Sequence, residues 1–125
     1  MLYVKDLRIG NLIKWISTNT VEVVQEINSC GKYHLINNVQ IIDAEPIELT
    51  EEWLFRFGFE RHELDNWFYL KIINDWTRLN ININGSVCEL SISNHGAVIN
   101  VTYVHQLQNL YYALTQTELT LKDEK

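Results

Sequence analysis

The amino-acid sequence predicts an α+β fold in which antiparallel strands come first and a helix covers the last of them. Two stretches near the C-terminus, residues 88–92 and 97–103, alternate between apolar and polar side chains, which is the period of a half-buried strand. The following stretch, residues 104–114, repeats apolar side chains every three or four positions, which is the period of a helix. A change of period within so few residues is typical of a sheet that receives a helix on one face.

The composition suits one compact domain. With 125 residues, 46% of them hydrophobic, the chain can bury a core without a metal or a disulfide. Only one proline and five glycines occur, so no linker is visible. We therefore expect a single domain over residues 1–125. It would consist of an N-terminal β half, residues 1–49, and a second half, residues 50–121, that holds both helices and the remaining sheet.

The N-terminal half begins with a turn at Gly10, and four short strands are predicted after it. These strands are residues 12–16, 21–27, 32–36 and 39–42. Asn37 and Asn38 form the last turn, because asparagine tolerates the positive φ that a two-residue turn requires. Strands so closely spaced predict a small, strongly bent antiparallel sheet, of which an SH3-like barrel is one form.

A short helix is predicted over residues 51–57. Thr50 suits the N-cap, the acidic residues 51–52 suit the first turn, and Gly58 suits the left-handed residue that ends a helix. Leu49 and Leu54 have the spacing of a hydrophobic staple. An isolated helix of two turns is unstable, so it must dock on the rest of the chain. The side chains that we expect it to bury are Trp53, Leu54 and Phe57.

A four-stranded antiparallel meander is predicted over residues 67–103, and its register follows from its turns. Asn84-Gly85 between two alternating stretches is a strong hairpin signal. As a two-residue loop it pairs Ile83 with Ser86, Ile81 with Cys88, and Leu79 with Leu90, and all of these pairs lie on one face. A turn at residues 95–96 adds Ile99 opposite Ile92, and a turn at residues 74–75 adds Phe68, Leu70 and Ile72 to the same face. The helix over residues 104–114 would cover this face.

The opposite face of the meander carries the candidate binding site. At one end it is aromatic and basic, with the side chains of Trp67, Tyr69, Lys71, Trp76 and Arg78. Such residues anchor protein interfaces, and they also stack on nucleic-acid bases. A packing role is the alternative, because the N-terminal half and the short helix must also find an apolar surface to contact.

No catalytic constellation is visible in the sequence. The four histidines have no metal-ligand spacing, and no phosphate-binding loop, nucleophile motif or C-x-x-C pair occurs. The adjacent acids Glu51 and Glu52 are explained by the helix dipole. We therefore predict a protein that is not an enzyme and that uses no cofactor and no metal.

The charge and the N-terminus bear on partners and location. A net charge of −6 disfavours direct binding to nucleic acid, which needs clustered lysines and arginines, and better suits a protein partner. The N-terminus meets charged residues at once and lacks the apolar core of a signal peptide, and no apolar run approaches membrane-spanning length. With two cysteines, one of them in a predicted core strand, the chain is expected in a reducing cytoplasm.

Three blocks of sequence resemble a family of small proteins found in Bacteroidetes bacteria and in their phages and prophages. The blocks are residues 6–11 (Asp-Leu-Arg-Ile-Gly-Asn), residues 46–59 (Pro-Ile-Glu-Leu-Thr-Glu-Glu-Trp-Leu-Phe-Arg-Phe-Gly-Phe) and residues 103–115 (Tyr-Val-His-Gln-Leu-Gln-Asn-Leu-Tyr-Tyr-Ala-Leu-Thr). The resemblance brings no activity and no site residue. Where that pattern has glycine after Thr115, this chain has Gln116, which predicts a longer final helix.

The resemblance implies a phage or mobile-element protein, and such proteins often act by binding host machinery. The leading hypothesis is a non-catalytic protein that occupies a host protein or ribonucleoprotein, such as an inhibitor of a CRISPR-type or other nucleic-acid-targeting defence effector. One alternative is a small module that binds RNA or single strands through the aromatic face. Another is a virion or assembly component.

Overall fold

The computed structural model describes residues 2–30, 33–61, 68–72, 78–84, 87–92 and 98–122. The fold is α+β, as the sequence predicts. In these ranges it contains small antiparallel sheets, one short α-helix, one long C-terminal α-helix and two 3-10 helices, Val4–Asp6 and Ile41–Asp43. The second 3-10 helix replaces the end of the strand predicted over residues 39–42. No helix in these ranges combines the length and the apolar character needed to cross a bilayer.

The strands of the N-terminal half form two three-stranded antiparallel sheets. The strands are β1 (Leu12–Trp15), β2 (Thr20–Val23), β3 (Ile27–Cys30), β4 (Tyr33–Ile36), β5 (Val39–Gln40) and β6 (Ala44–Glu45). The sheets have the orders β2-β1-β6 and β3-β4-β5. The predicted strand over residues 21–27 is therefore divided, since its two ends belong to different sheets. The turn at Asn37 and Asn38 is confirmed, because their φ angles are 51° and 67°.

Two apolar cores share strand β1. Ile13 and Trp15 contribute to a core within the N-terminal half, whereas Leu12 points into the core of the second half. The alternation of side chains along a strand explains the division, because neighbouring residues face opposite sides. Strand β1 thereby joins the two halves.

Helix α1 (Glu51–Arg56) follows the prediction closely. Thr50 has the extended backbone of an N-cap, although its side chain makes no capping hydrogen bond there. Gly58 has a φ of +89°, so it supplies the left-handed residue after the helix. Leu54 and Phe57 are buried, while Trp53 is partly buried against the same core.

The second half is built on one antiparallel sheet. Its strands are β7 (Glu60–Arg61), β8 (Phe68–Ile72), β9 (Arg78–Asn84), β10 (Val87–Ile92) and β11 (Val98–Asn100), in the order β11-β10-β9-β8-β7. Four of these strands are the predicted meander, and β7 is a short addition at its edge. Helix α2 (Val104–Thr115) follows, and its buried residues Val104 and Leu107 belong to the core on the inner face of the sheet.

The pairing of β9 with β10 differs from the predicted register by two residues. Asn84 lies opposite Val87, so Asn84 belongs to the strand and not to the loop. Ile81 lies opposite Leu90, and Leu90 in turn lies opposite Ile99. A shift of two residues keeps every side chain on its face. The buried face predicted for β9 and β10 is therefore confirmed by Ile81 and Leu90, which are fully buried.

Strand β8 presents the opposite face from the predicted one. Tyr69 lies opposite Ile81 and Lys71 lies opposite Leu79, whereas Ile72 lies opposite Arg78. Tyr69 is only 4% exposed, and Ile72 is 69% exposed. The prediction that Ile72 points inward and Tyr69 outward was wrong. It assumed an even connection at residues 74–75, which lie outside the described residues, and a one-residue change of register exchanges the faces.

The chain after helix α2 does not continue as a helix. Gln116 adopts a left-handed conformation with a φ of 60° and ends the helix after Thr115, so the prediction of a longer helix was wrong. The residues after Gln116 instead pack into the core of the second half. Leu119 and Leu121 are buried in it, and the backbone amide of Lys122 donates to the carbonyl of Arg56.

A network of polar side chains connects the N-terminal turn to helix α2. Asn11 Nδ2 donates to Asn109 Oδ1 at 2.8 Å. Gln108 Oε1 accepts a hydrogen bond from the backbone amide of Leu12 at 2.8 Å, and its Nε2 donates to the carbonyl of Gly10 at 3.2 Å. We call Arg8, Asn11, Gln108, Asn109 and Glu118 the polar joint.

Candidate functional site

The structure places the three described residues of the predicted aromatic site on two different faces of the sheet. Tyr69 and Lys71 lie on the covered face of the sheet, and Arg78 is exposed on the opposite face, beside Ile72. Trp67 and Trp76 lie outside the described residues. The three residues that are described therefore do not form one exposed surface.

Tyr69 ties helix α1 to the sheet. Its hydroxyl donates a hydrogen bond to the carboxylate of Glu51, and that carboxylate also forms an ion pair with Arg61 at 2.8 Å. The ring of Phe55 packs edge-on against the ring of Tyr69, with 5.7 Å between their centroids. Burial raises the pKa of Tyr69, and the hydrogen bond from Tyr69 lowers the pKa of Glu51. These contacts join α1, β7 and β8, so Tyr69 has a packing role.

Lys71 closes the C-terminal end of the same helix. Its Nζ donates to the carbonyl of Phe57 at 3.1 Å, where the helix leaves carbonyl groups without intrahelical partners. Burial lowers the pKa of Lys71, because the charged form loses part of its hydration. The amphipathic side chain thus covers apolar surface with its stem and satisfies a backbone carbonyl with its tip. The alternative that the sequence left open, packing of this corner against the short helix, is the arrangement observed for Tyr69 and Lys71.

A groove in the N-terminal half is a second candidate site. It has a volume of about 780 Å³ and lies between the end of β1, residues 41–48 and the start of helix α2. Its apolar wall is formed by aliphatic side chains, namely Leu2, Ile16, Ile41, Ile42 and Ile47. A concave apolar surface with a few polar groups is the usual form of a binding site.

Two isoleucines in this wall are unusually exposed. Ile42 is 77% exposed and Ile16 is 54% exposed. Both isoleucines lie next to Asp43. The carbonyl of Asp43 accepts a hydrogen bond from the amide of Ile16 at 2.7 Å, and its carboxylate accepts one from the Ser17 hydroxyl at 2.7 Å. Ile41, next to Ile42, packs against the N-terminal core instead. The groove therefore presents aliphatic side chains to solvent.

Charged residues line the rest of the groove. Lys14 and Glu45 face each other across the paired strands β1 and β6, with 3.7 Å between Nζ and the carboxylate. Glu48 pairs through its backbone with Tyr103, and its side chain is exposed. Within the described ranges, the carboxylate of Glu48 takes part in no ion pair. The groove thus has an aliphatic end near Ile42 and an acidic end at Glu48.

The sequence contained a weak signal for this groove. Ile41 and Ile42 are consecutive apolar residues in a stretch predicted as a strand, and neighbours in a strand point to opposite faces. In a small sheet with one covered face, one of the two must meet solvent. Alternation alone does not say which of the two is exposed, so the sequence did not place the groove.

The described residues show no metal centre. They contain no group of three or more histidine, cysteine or acidic residues placed to hold a metal ion. His105 is buried in helix α2, and His34 is exposed and lies 3.0 Å from the hydroxyl of Ser29. His62 and His95 fall outside the described ranges.

Comparison of the chain with models of protein families, with curated proteins and with solved structures finds no match. The geometry of the groove and its charges are therefore the basis for a functional proposal.

Proposed function

We propose that this protein is a non-catalytic binding protein that occupies a partner protein through the groove beside Ile42. The exposure of Ile42 and Ile16 is the observation that supports the proposal. Burying an isoleucine side chain stabilises a complex by about 1.5–3 kcal/mol, so two such residues can anchor an interface. The sequence resemblance favours a host protein in the bacterial cytoplasm as the partner, and a nucleic-acid-targeting defence effector is one class that fits.

Substitution of Ile42 tests the proposal. The variant Ile42→Glu should fold normally, because the side chain is already in water, and should lose most of its affinity for the partner, by about tenfold or more. The measurement is capture of partners from a host lysate by immobilised wild type and variant, followed by titration of the captured protein. Thermal unfolding verifies that both are folded.

Ile72→Glu is the matched control. Ile72 is the same residue type and is 69% exposed. It lies on the outer face of the five-stranded sheet, in the other half of the chain. It should leave capture unchanged. Equal loss of capture in both variants, or retention of full affinity in Ile42→Glu, would refute the proposal for the groove.

Binding of nucleic acid receives less support. The hypothesis required Tyr69 and Lys71 on an exposed face with Arg78, and the first two residues are instead packed against helix α1. The net charge of −6 also opposes association with a phosphate backbone. The test is titration of the protein with labelled single-stranded RNA at low salt, where we expect no binding.

A further inference from the structure

The two ends of the groove differ in chemistry, and this difference restricts what can occupy it. Ile42 and Glu48 are six residues apart, so their Cα atoms are separated by at most about 21 Å. A partner segment of about six extended residues can therefore contact both ends. The apolar end needs an aliphatic side chain to cover Ile42 and Ile16. The other end offers a carboxylate.

The charge at the second end has a definite sign. Lys14 and Glu45 largely neutralise each other, whereas Glu48 adds a negative charge that no cation within the described part of the chain balances. The excess of acidic residues, 16 against ten basic ones, reinforces that potential over longer distances. A positively charged side chain is the group that complements Glu48.

Resting on the proposed function, we infer that the groove binds an extended segment of a partner protein that carries aliphatic side chains followed by a lysine or arginine. The aliphatic side chains pack on Ile42 and Ile16. The cation lies beside Glu48 and the ring of Tyr103, which lines the same end of the groove. The aliphatic contacts supply most of the affinity, and the exposed ion pair selects the sequence and the orientation.

Selection from a yeast-displayed library of random linear peptides tests this inference. Wild-type protein should enrich peptides with a run of aliphatic residues next to lysine or arginine, and Ile42→Glu should enrich none of them. The variant Glu48→Lys should shift the enrichment from basic to acidic residues. It should also lower the affinity of the best basic peptide by about fivefold, because an exposed attraction becomes a repulsion. Glu26→Lys, an exposed charge reversal outside the residues that line the groove, is the matched control.

The outcomes distinguish the groove as the binding site from the preference for a basic residue in its ligand. Enrichment that depends on Ile42 and changes charge preference with Glu48→Lys supports the inference. Enrichment that depends on Ile42 without a preference for lysine or arginine overturns the basic segment and leaves the groove as the binding site. If no enriched peptide requires Ile42, the groove is not the binding site. Equal effects of Glu48→Lys and Glu26→Lys overturn the specific role of Glu48.

Discussion

At the residue scale, Gln116 occupies a backbone conformation that suits glycine. It follows helix α2 with a φ of 60° and a ψ of 21°, and its amide donates to the carbonyl of Tyr112 at 2.7 Å. A residue with a Cβ pays about 1–2 kcal/mol in the left-handed region. The polypeptide accepts this strain because the residues beyond it, Leu119 and Leu121, enter the core.

Replacement of Gln116 by glycine should stabilise the protein. We expect a gain of about 0.5–1 kcal/mol in the free energy of unfolding, since the relief of strain exceeds the entropy that glycine adds to the unfolded chain. Chemical denaturation measures the change. Ala113→Gly, at an exposed position within helix α2, is the control and should destabilise by about 1 kcal/mol. Destabilisation by both variants would contradict the left-handed assignment of Gln116.

His105 is a second residue whose environment makes a definite prediction. It is 3% exposed, its ring stacks on Tyr103 at 5.9 Å, and its Nδ1 has no hydrogen-bond partner among the described residues. Burial lowers the pKa of His105, and the nearby charge of Asp6 opposes that shift in part. The neutral imidazole is therefore the form that the fold prefers.

The stability of the protein should decrease as the pH falls below about 6.5. The unfolded imidazole takes up a proton near that pH, whereas the folded one resists protonation until a lower pH, so acid favours the unfolded state. His105→Gln should remove part of this decrease, as measured by melting temperature between about pH 7.5 and 5. His34→Gln, at an exposed histidine, should not. Identical pH profiles for wild type and His105→Gln would disprove this account.

At the scale of elements, helix α1 determines which face of strand β8 is buried. Tyr69 reaches Glu51 on this helix, and Lys71 reaches the carbonyl of Phe57 at its end. Both side chains combine an apolar body with a polar tip, so both can be covered without leaving a polar group unsatisfied. Ile72 remains in water on the other face.

Truncation of Tyr69 and of Ile72, which lie on opposite faces of β8, tests which face is buried. Tyr69→Ala should destabilise the protein by about 3 kcal/mol, because it leaves a cavity in the core and removes a hydrogen bond to Glu51. Ile72→Ala should change the stability by no more than about 0.5 kcal/mol. Urea denaturation measures both. The reverse order of the two effects would restore the strand orientation predicted from the sequence.

At the scale of the whole molecule, the polar joint connects the two halves. Arg8 pairs with Glu118, donates to Asn109 and stacks on the ring of Tyr112, with 4.5 Å from its guanidinium carbon to the ring centre. Residues 6–11, 46–59 and 103–115 meet here and nearby. Residues 6–11 contact helix α2 in the joint, and Leu49 and Ile47 form backbone hydrogen bonds with Thr102 and Val104. These contacts join the two halves, and Ile47, Glu48 and Tyr103 from the same stretches also line the groove.

Gln108 is a buried link from helix α2 to the backbone at the start of β1. Gln108→Leu should destabilise the protein by about 1–3 kcal/mol, because it leaves the amide of Leu12 and the carbonyl of Gly10 without their partner. The measurement is chemical denaturation. Gln25→Leu, at an exposed position of the N-terminal half, is the control and should have little effect. A neutral Gln108→Leu would mean that these two hydrogen bonds add no net stability.

Local chemistry was sufficient for part of this architecture. Helix α1 is bounded by Thr50 and Gly58, and the turn at Asn37 is fixed by the tolerance of asparagine for positive φ. The buried face of β9 and β10 follows from alternation, which survives a register shift of two residues. Each of these features depends on residues close together in the chain, so the sequence determined them by itself.

Only the tertiary structure decided the orientation of β8, the end of helix α2 and the position of the groove. Tyr69 is buried because it bonds Glu51 and packs on Phe55, both on helix α1. Gln116 is left-handed because the chain after it turns so that Leu119 packs in the core. The groove forms where Ile16 and Ile42, far apart in sequence, are brought together at the end of β1. The physical reason is common to all three. An amphipathic or apolar side chain is stable in more than one environment, and contacts distant in sequence select between them.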